Sequence, residues 1–324
     1  MPKMKHRATI SVTAGMTVNA IVWITSPDDA DERQSTQQVL TFLEPFLQAI
    51  RVPFFKIEPK TAAELFKFLT SLEGQAKAGL RPIIHLDTHG GLTDGLYIAA
   101  SGEFVTWQEL VDRLRPVNVA AQNNICLVSA ACFSLHAIMS MDFKAPTPFF
   151  MMLAPQHIAT FGFIERKMFD FYEDVFTSHD VMQAHERHLA TELQQYHCHR
   201  LLLKSLSGYM RDGCTGRGRR KRVRKLVKAK LGPGKRFPDT PALRRVARRV
   251  GLAATKPTPA LIDRYAKPFL MGQSLSISFE EILAFVRADA IRWNVLVRRA
   301  ARARRQSRRV QHARRKRLHA LRRR

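Results

Sequence analysis

The chain is poor in cysteine, has no long apolar run and carries almost no acid in its last third. Four cysteines in 324 residues (Cys126, Cys132, Cys198 and Cys214) are too few and too scattered for a disulfide framework, which makes a reducing compartment the expectation. The first fifteen residues, MPKMKHRATISVTAG, are basic, but no apolar core or small-residue cleavage site follows them, so no secretory leader is evident. The most apolar later stretch, Phe149 to Phe163, is broken by Pro155, Gln156 and His157 and is too short to span a bilayer. These absences point to a cytoplasmic protein without a transmembrane segment.

Acid is missing from one place only. Residues 211–324 hold 35 Lys and Arg against 6 Asp and Glu, whereas residues 1–210 hold 18 against 21. A nearly neutral region and a strongly basic one are therefore joined in one chain. The basic part suits nucleic acid, an anionic surface or an acidic partner.

The neutral part alternates strand and helix signals. Val18 to Thr25 reads as a buried strand, followed by an acidic, flexible turn (SPDDADERQS) and a helix from Thr36 to Ile50. A second strand, Val52 to Glu58, leads to a second helix, Lys60 to Ala78, and an apolar run at Ile83, Ile84 and Leu86 makes a third strand. Gly95 to Val105 reads as a hairpin turning at Ser101-Gly102. Thr106 to Leu114 reads as a helix capped by Thr106 with Glu109 three residues on. Ile125 to Val128 and Phe149 to Leu153 supply two further strands. Phe163 to Phe176 is an amphipathic helix whose aromatic stripe reads as core, and His179 to Met210 reads as helical. This rhythm predicts an α/β fold with a mostly parallel sheet and right-handed crossovers. A Gly-rich basic linker follows Met210. Helices are expected at Pro241 to Val250 and Phe279 to Arg305, on either side of a Pro-rich segment, Lys256 to Pro268, with a largely disordered Arg-rich tail.

Two strands end in reactive side chains. RPIIHLDTHGG stops at His89 and NICLVSAACFS stops at Cys132. Open parallel sheets place their chemistry beyond the carboxyl ends of the strands, so this pair would face one crevice. The His-Gly pair closing one apolar strand, the Cys closing the next after Ala-Ala, and their separation of 43 residues with room for a hairpin, a helix and a strand resemble the caspase-like cysteine peptidases. That group includes caspases, metacaspases, legumains and the CHAT peptidases. The resemblance covers residues 17–177. It implies a three-layer α-β-α sandwich as the catalytic domain (residues 1–178) and says nothing about the rest, which composition and pattern divide into a helical extension and basic linker (179–236) and a basic helical region with the Arg-rich tail (237–324).

What the resemblance implies for chemistry is a cysteine endopeptidase without a cofactor, acting on protein or peptide substrates. Cys132 would be the nucleophile and His89 the proton carrier, with the backbone N–H groups of Gly90 and Cys132 as oxyanion hole. Asp87 shares the strand face of His89 and His85 and would wall the substrate pocket. Specificity does not carry over. The Asp that metacaspases place two residues before the Cys is Ala130 here, and the caspase QACRG is replaced by AACFS.

Other readings compete. DTHG also matches the DxHG start of calcineurin-like phosphoesterases, but their later GDxxDRG, GNHE and GHxH-type motifs are missing, and no metal site is expected. Cys126 fits a core thiol, and Cys198 and Cys214 lack strand-end positions. His185 and His188, and the YHCH of His197 to His199, do not complete a tetrahedral zinc set. A second function class is an inactive caspase-like scaffold whose basic half binds nucleic acid or an acidic partner.

Overall fold

A computed structural model of the chain describes residues 15–214, 216–231, 240–275 and 277–288. Two compact units divide it, one of residues 12–202 with 263–276, the other of the remainder. The first contains β1 (Ala20–Ser26), α1 (Ala30–Ala49), β2 (Phe54–Ile57), α2 (Ala62–Lys77) and β3 (Pro82–Thr88). A small antiparallel sheet of β4 (Gly90–Gly91), β5 (Gly95–Ile98) and β6 (Glu103–Val105) leads to α3 (Trp107–Ala120) and β7 (Cys126–Ser129). After a 3-10 turn (Ser134–Ser140) come β8 (Met151–Pro155), α4 (Phe161–Ser178), the short α5 (Val181–Ala184), a π-helical turn (His185–Leu189) and β9 (Leu193–His197).

The main sheet has six strands in the order β2-β1-β3-β7-β8-β9, all parallel except the last pair. Alternation along each strand sends side chains to opposite faces. Val22, Ile24, Ile84, Leu86 and Leu127 join one cluster with Leu65, Leu69 and Leu72 of α2 and Leu110, Val111 and Leu114 of α3. On the other face Trp23 and His85 meet Tyr172 of α4, while Phe42 and Phe46 of α1 pack on Phe169 of α4. Helices on both faces of a mostly parallel sheet give an α/β architecture that fits three layers.

The expected strand order and the hairpin are present. Gly102 turns the hairpin in the left-handed region (φ 71), and Thr106 and Glu109 form a reciprocal capping box. Four expectations need correction. The stretch read as an acidic turn is the start of α1: Asp29 is its N-cap, its side chain accepting from the Glu32 N–H at 2.9 Å, and Asp31 and Glu32 suit the positive end of the helix. The region His179 to Met210 is not continuous helix, because β9 pairs antiparallel with β8 and covers an edge that would otherwise be unpaired. The sheet therefore takes a strand from beyond residue 178, the expected domain end.

The other two corrections concern the basic half. Its linker contains α7 (Gly216–Leu231), which follows α6 (Cys198–Cys214), and the Pro-rich segment contains α9 (Pro259–Phe269), for which a proline at the first helical position is favourable. The helix expected from Pro241 is α8 (Pro241–Ala254). Of the helix expected from Phe279 to Arg305, residues 279–288 are helical and the rest lies outside the described residues, as does the Arg-rich tail. Among the described residues no helix is long and apolar enough to cross a membrane.

Candidate active site

β3 and β7 are neighbours, with Leu86 level with Ser129 and the Ala130 N–H donating to the Leu86 carbonyl at 2.8 Å. Counting outward from that rung, His89 and Cys132 leave the same end of adjacent strands. The next residue on the β3 side touches the β7 side directly. A Cβ placed on Gly90 would lie 2.2 Å from the Cys132 carbonyl oxygen and 3.2 Å from the Ala131 Cβ. Only glycine permits this approach.

The turn that carries Cys132 is sharp. Phe133 has φ 59, a left-handed conformation that costs a bulky residue roughly 1–3 kcal/mol, and its N–H donates to the His157 carbonyl at 3.1 Å. The Ser134 N–H then donates to Ala131 at 3.2 Å and the 3-10 turn begins. Cys132 is held at the tip of this bend, half-buried, with its thiol 3.9 Å from the Ala159 carbonyl. The other three thiols are buried. Burial pushes Cys126 and Cys198 up to about 12 and raises Cys214 as well, which keeps them protonated and inert.

His89 is fixed from two sides. Its carbonyl accepts from the Tyr97 N–H at 3.0 Å, tying it to the hairpin, and its Nε2 lies 2.6 Å from Glu32 Oε1. The second Glu32 oxygen accepts from the Asp28 N–H at 2.8 Å, so the carboxylate is itself held at the start of α1. A carboxylate only accepts, which places the proton of a neutral His89 ring on Nε2 and leaves Nδ1 as its basic atom. Because the Tyr97 N–H bonds the His89 carbonyl, the pair Gly90 with Leu96 is of the non-bonded kind, and the Gly90 N–H points off the hairpin. Among the described residues none accepts from the Cys132 N–H.

Asp87 has a different surrounding from the one expected. Its Oδ2 accepts from Thr36 Oγ1 at 2.6 Å, from Trp23 Nε1 at 3.3 Å and more distantly from Thr25. Thr36 stands one helical turn after Glu32, and Asp87 stands two residues before His89. Two rungs, Asp87 to Thr36 and His89 to Glu32, therefore bolt α1 to the end of β3. Burial raises the Asp87 carboxyl above its ordinary range, the three donors oppose this, and the nearby Glu32 charge adds to it.

His85 does not join this end. Its ring stacks on Trp23 at 3.7 Å, its Nδ1 is 2.8 Å from the Tyr172 hydroxyl, and burial lowers it to about 3. Among the described residues no group of three His, Cys, Asp or Glu is placed to hold a metal ion. His185 bonds the Leu193 carbonyl, His188 bonds Asp174, and the His197 and His199 rings pack on Phe150.

Glu32 is the site residue that sequence reasoning missed. The signal was present: Asp29 followed three residues later by Glu32 is an N-terminal helix pattern, and it places Glu32 on the first turn after β1. No family model, no curated protein and no solved structure matches the chain.

Proposed function

We propose that the chain is a cysteine endopeptidase of the caspase-like kind, in which Cys132 is the nucleophile, His89 the proton carrier and Glu32 the group that orients His89. One observation carries the reading. The single thiol of four that is not buried stands at a strand end, against the glycine that follows a carboxylate-held histidine. The caspase-like fold fits the parallel sheet and the hairpin between the two strands.

The chemistry follows from these positions. The Cys132 thiol gives its proton to His89 Nδ1, and the sulfur attacks the scissile carbonyl carbon. The resulting oxyanion is met by the N–H groups of Gly90 and Cys132. Collapse breaks the C–N bond, His89 returns the proton to the leaving amine, and a thioester remains. Water then adds as His89 takes its proton, the C–S bond breaks, and the acid product leaves with the thiol restored. Glu32 offsets the positive charge that His89 acquires in both halves.

The test is labelling and cleavage together. A thiol-reactive peptide probe is expected to modify Cys132, and Cys132→Ala is expected to abolish both labelling and cleavage of a peptide library while leaving the fold intact. Cleavage that survives Cys132→Ala would remove the proposal and leave the scaffold reading. Glu32→Gln adds a second expectation. Its amide still accepts from Nε2 but no longer carries charge, so kcat should fall roughly 10- to 100-fold, less than the roughly 10²- to 10⁴-fold of a lost acid–base group because His89 itself remains, with KM little changed. An equal rise in KM would mean that Glu32 binds substrate rather than positions His89.

A further inference from the structure

α7 and α8 of the second unit are joined by one seam. Val223 is buried, and a Cβ on Gly251 would lie 2.5 Å from its Cγ1, so the two helices meet closely there. Arg219, one turn before Val223, donates from Nε to Thr255 Oγ1 at 3.0 Å and from Nη2 to the Leu252 carbonyl. A guanidinium on the last carbonyls of α8 also suits the negative end of that helix. Arg222 is occupied too, lying 4.6 Å over the Tyr209 ring and donating to Cys214 Sγ at 3.3 Å.

The remaining described cations of α7 point elsewhere. At 100° per residue, Arg220, Arg224, Lys228, Lys221 and Lys225 fall on an arc of about 140°, the last four opposite the seam set by Arg219 and Val223 and Arg220 on its flank. All five are exposed. α7 contains no acidic residue to neutralise them. Arg220, Arg224 and Lys228 form a row about 12 Å long, a length over which duplex nucleic acid carries roughly seven phosphates.

What this face lacks narrows the partner. α7 has no aromatic residue, Asn, Gln, Ser or Thr, so it offers no aromatic platform for bases and no amide to read adenine, and what it presents is a row of cations matched to phosphate. Its exposed apolar residue, Leu226, turns back toward the seam and puts no wedge beneath the cations, as a lipid-binding helix would. Val246 and Val250 are exposed on α8, but two valines are an ordinary surface.

From this geometry we propose that the outward face of α7, braced by α8, is a phosphate-backbone surface for nucleic acid, binding without regard to sequence. The proposal is independent of the peptidase reading. It is tested on the full chain with a 20-base-pair DNA duplex followed by fluorescence anisotropy across a salt series. Arg220→Gln, Arg224→Gln and Lys228→Gln together should reduce the log–log salt slope by about 2 to 3, near 0.9 for each phosphate no longer neutralised. Arg304→Gln, Arg305→Gln and Arg308→Gln together make the same change in net charge and should reduce the slope less. A scrambled duplex should bind as the first does. The proposal is overturned if the two triple variants weaken binding equally, if the α7 variant binds as the wild type does, or if phosphatidylserine vesicles or polyglutamate compete at lower charge concentration than the duplex. Unchanged far-UV circular dichroism of both variants shows that the readout is binding rather than folding.

Discussion

Gly90→Ala is expected to lose at least about 100-fold in peptide turnover, with a stability cost of only about 1–3 kcal/mol. The obstacle is backbone. The new Cβ would lie 2.2 Å from the Cys132 carbonyl oxygen, and a carbonyl in a tight turn cannot rotate away as a side chain can. Either the His89–Gly90 segment or the Cys132 bend must shift by about an ångström, enough to misplace a nucleophile relative to its base and oxyanion donors. The cluster beneath the sheet is untouched, so the fold should persist. The resemblance gives Gly90 the role of an oxyanion donor through its backbone N–H, and the structure adds that the protein's own carbonyl occupies the space a side chain would need. Gly91→Ala is the comparison: its Cβ would meet the flexible Asp94 carboxylate at 2.9 Å, and near-normal turnover is expected. Equal kcat/KM and melting temperature in the Gly90 and Gly91 variants would show that the close approach has no catalytic consequence.

The parts of the fold legible in the sequence are those set by local pattern. β1, β3 and β7 are short apolar runs bounded by breakers, and α3 has its cap and capping partner in adjacent turns. Adjacent ends for His89 and Cys132 follow from strand order alone. The misses have physical causes. Asp28, Asp29, Asp31 and Glu32 look solvated until the helix they cap is known, and the reach of Glu32 to His89 spans two elements. Leu193 to His197 is a strand because β8 offers an edge, a tertiary fact. α7 is helical despite its glycines and charge, with Val223 and Arg219 against α8. Asp87 shares a face with His85, as period-two alternation requires, yet its bonds go to Thr36 and Trp23, partners that no spacing reveals.

Acid should destabilise this protein through His85. The ring is buried between Trp23 and Tyr172, and desolvation lowers its pKa from 6.5 to about 3. In the folded state it stays neutral, while the unfolded chain takes up a proton as pH falls below 6.5. The stabilising contribution is therefore complete above pH 6.5 and is lost as pH falls toward 3, at up to 1.36 kcal/mol per unit. Over that window the loss is on the order of 5 kcal/mol, comparable with the whole stability of many domains. Asp87 acts with the opposite sign, because its carboxyl is raised and acidification relieves the penalty of keeping it ionised. His197, lowered to about 4 by burial, adds to the His85 effect. A difference measurement separates them. His85→Phe keeps the stacking on Trp23 but strands the buried Tyr172 hydroxyl, so the variant to compare is His85→Phe with Tyr172→Phe, which removes both partners. Denaturant unfolding of wild type and double variant between pH 7.5 and pH 4 should give stability curves of different slope, the wild type losing about one proton's worth more per pH unit below 6.5. Parallel curves would mean that water reaches the His85 ring and that the ring titrates as it does in the unfolded chain.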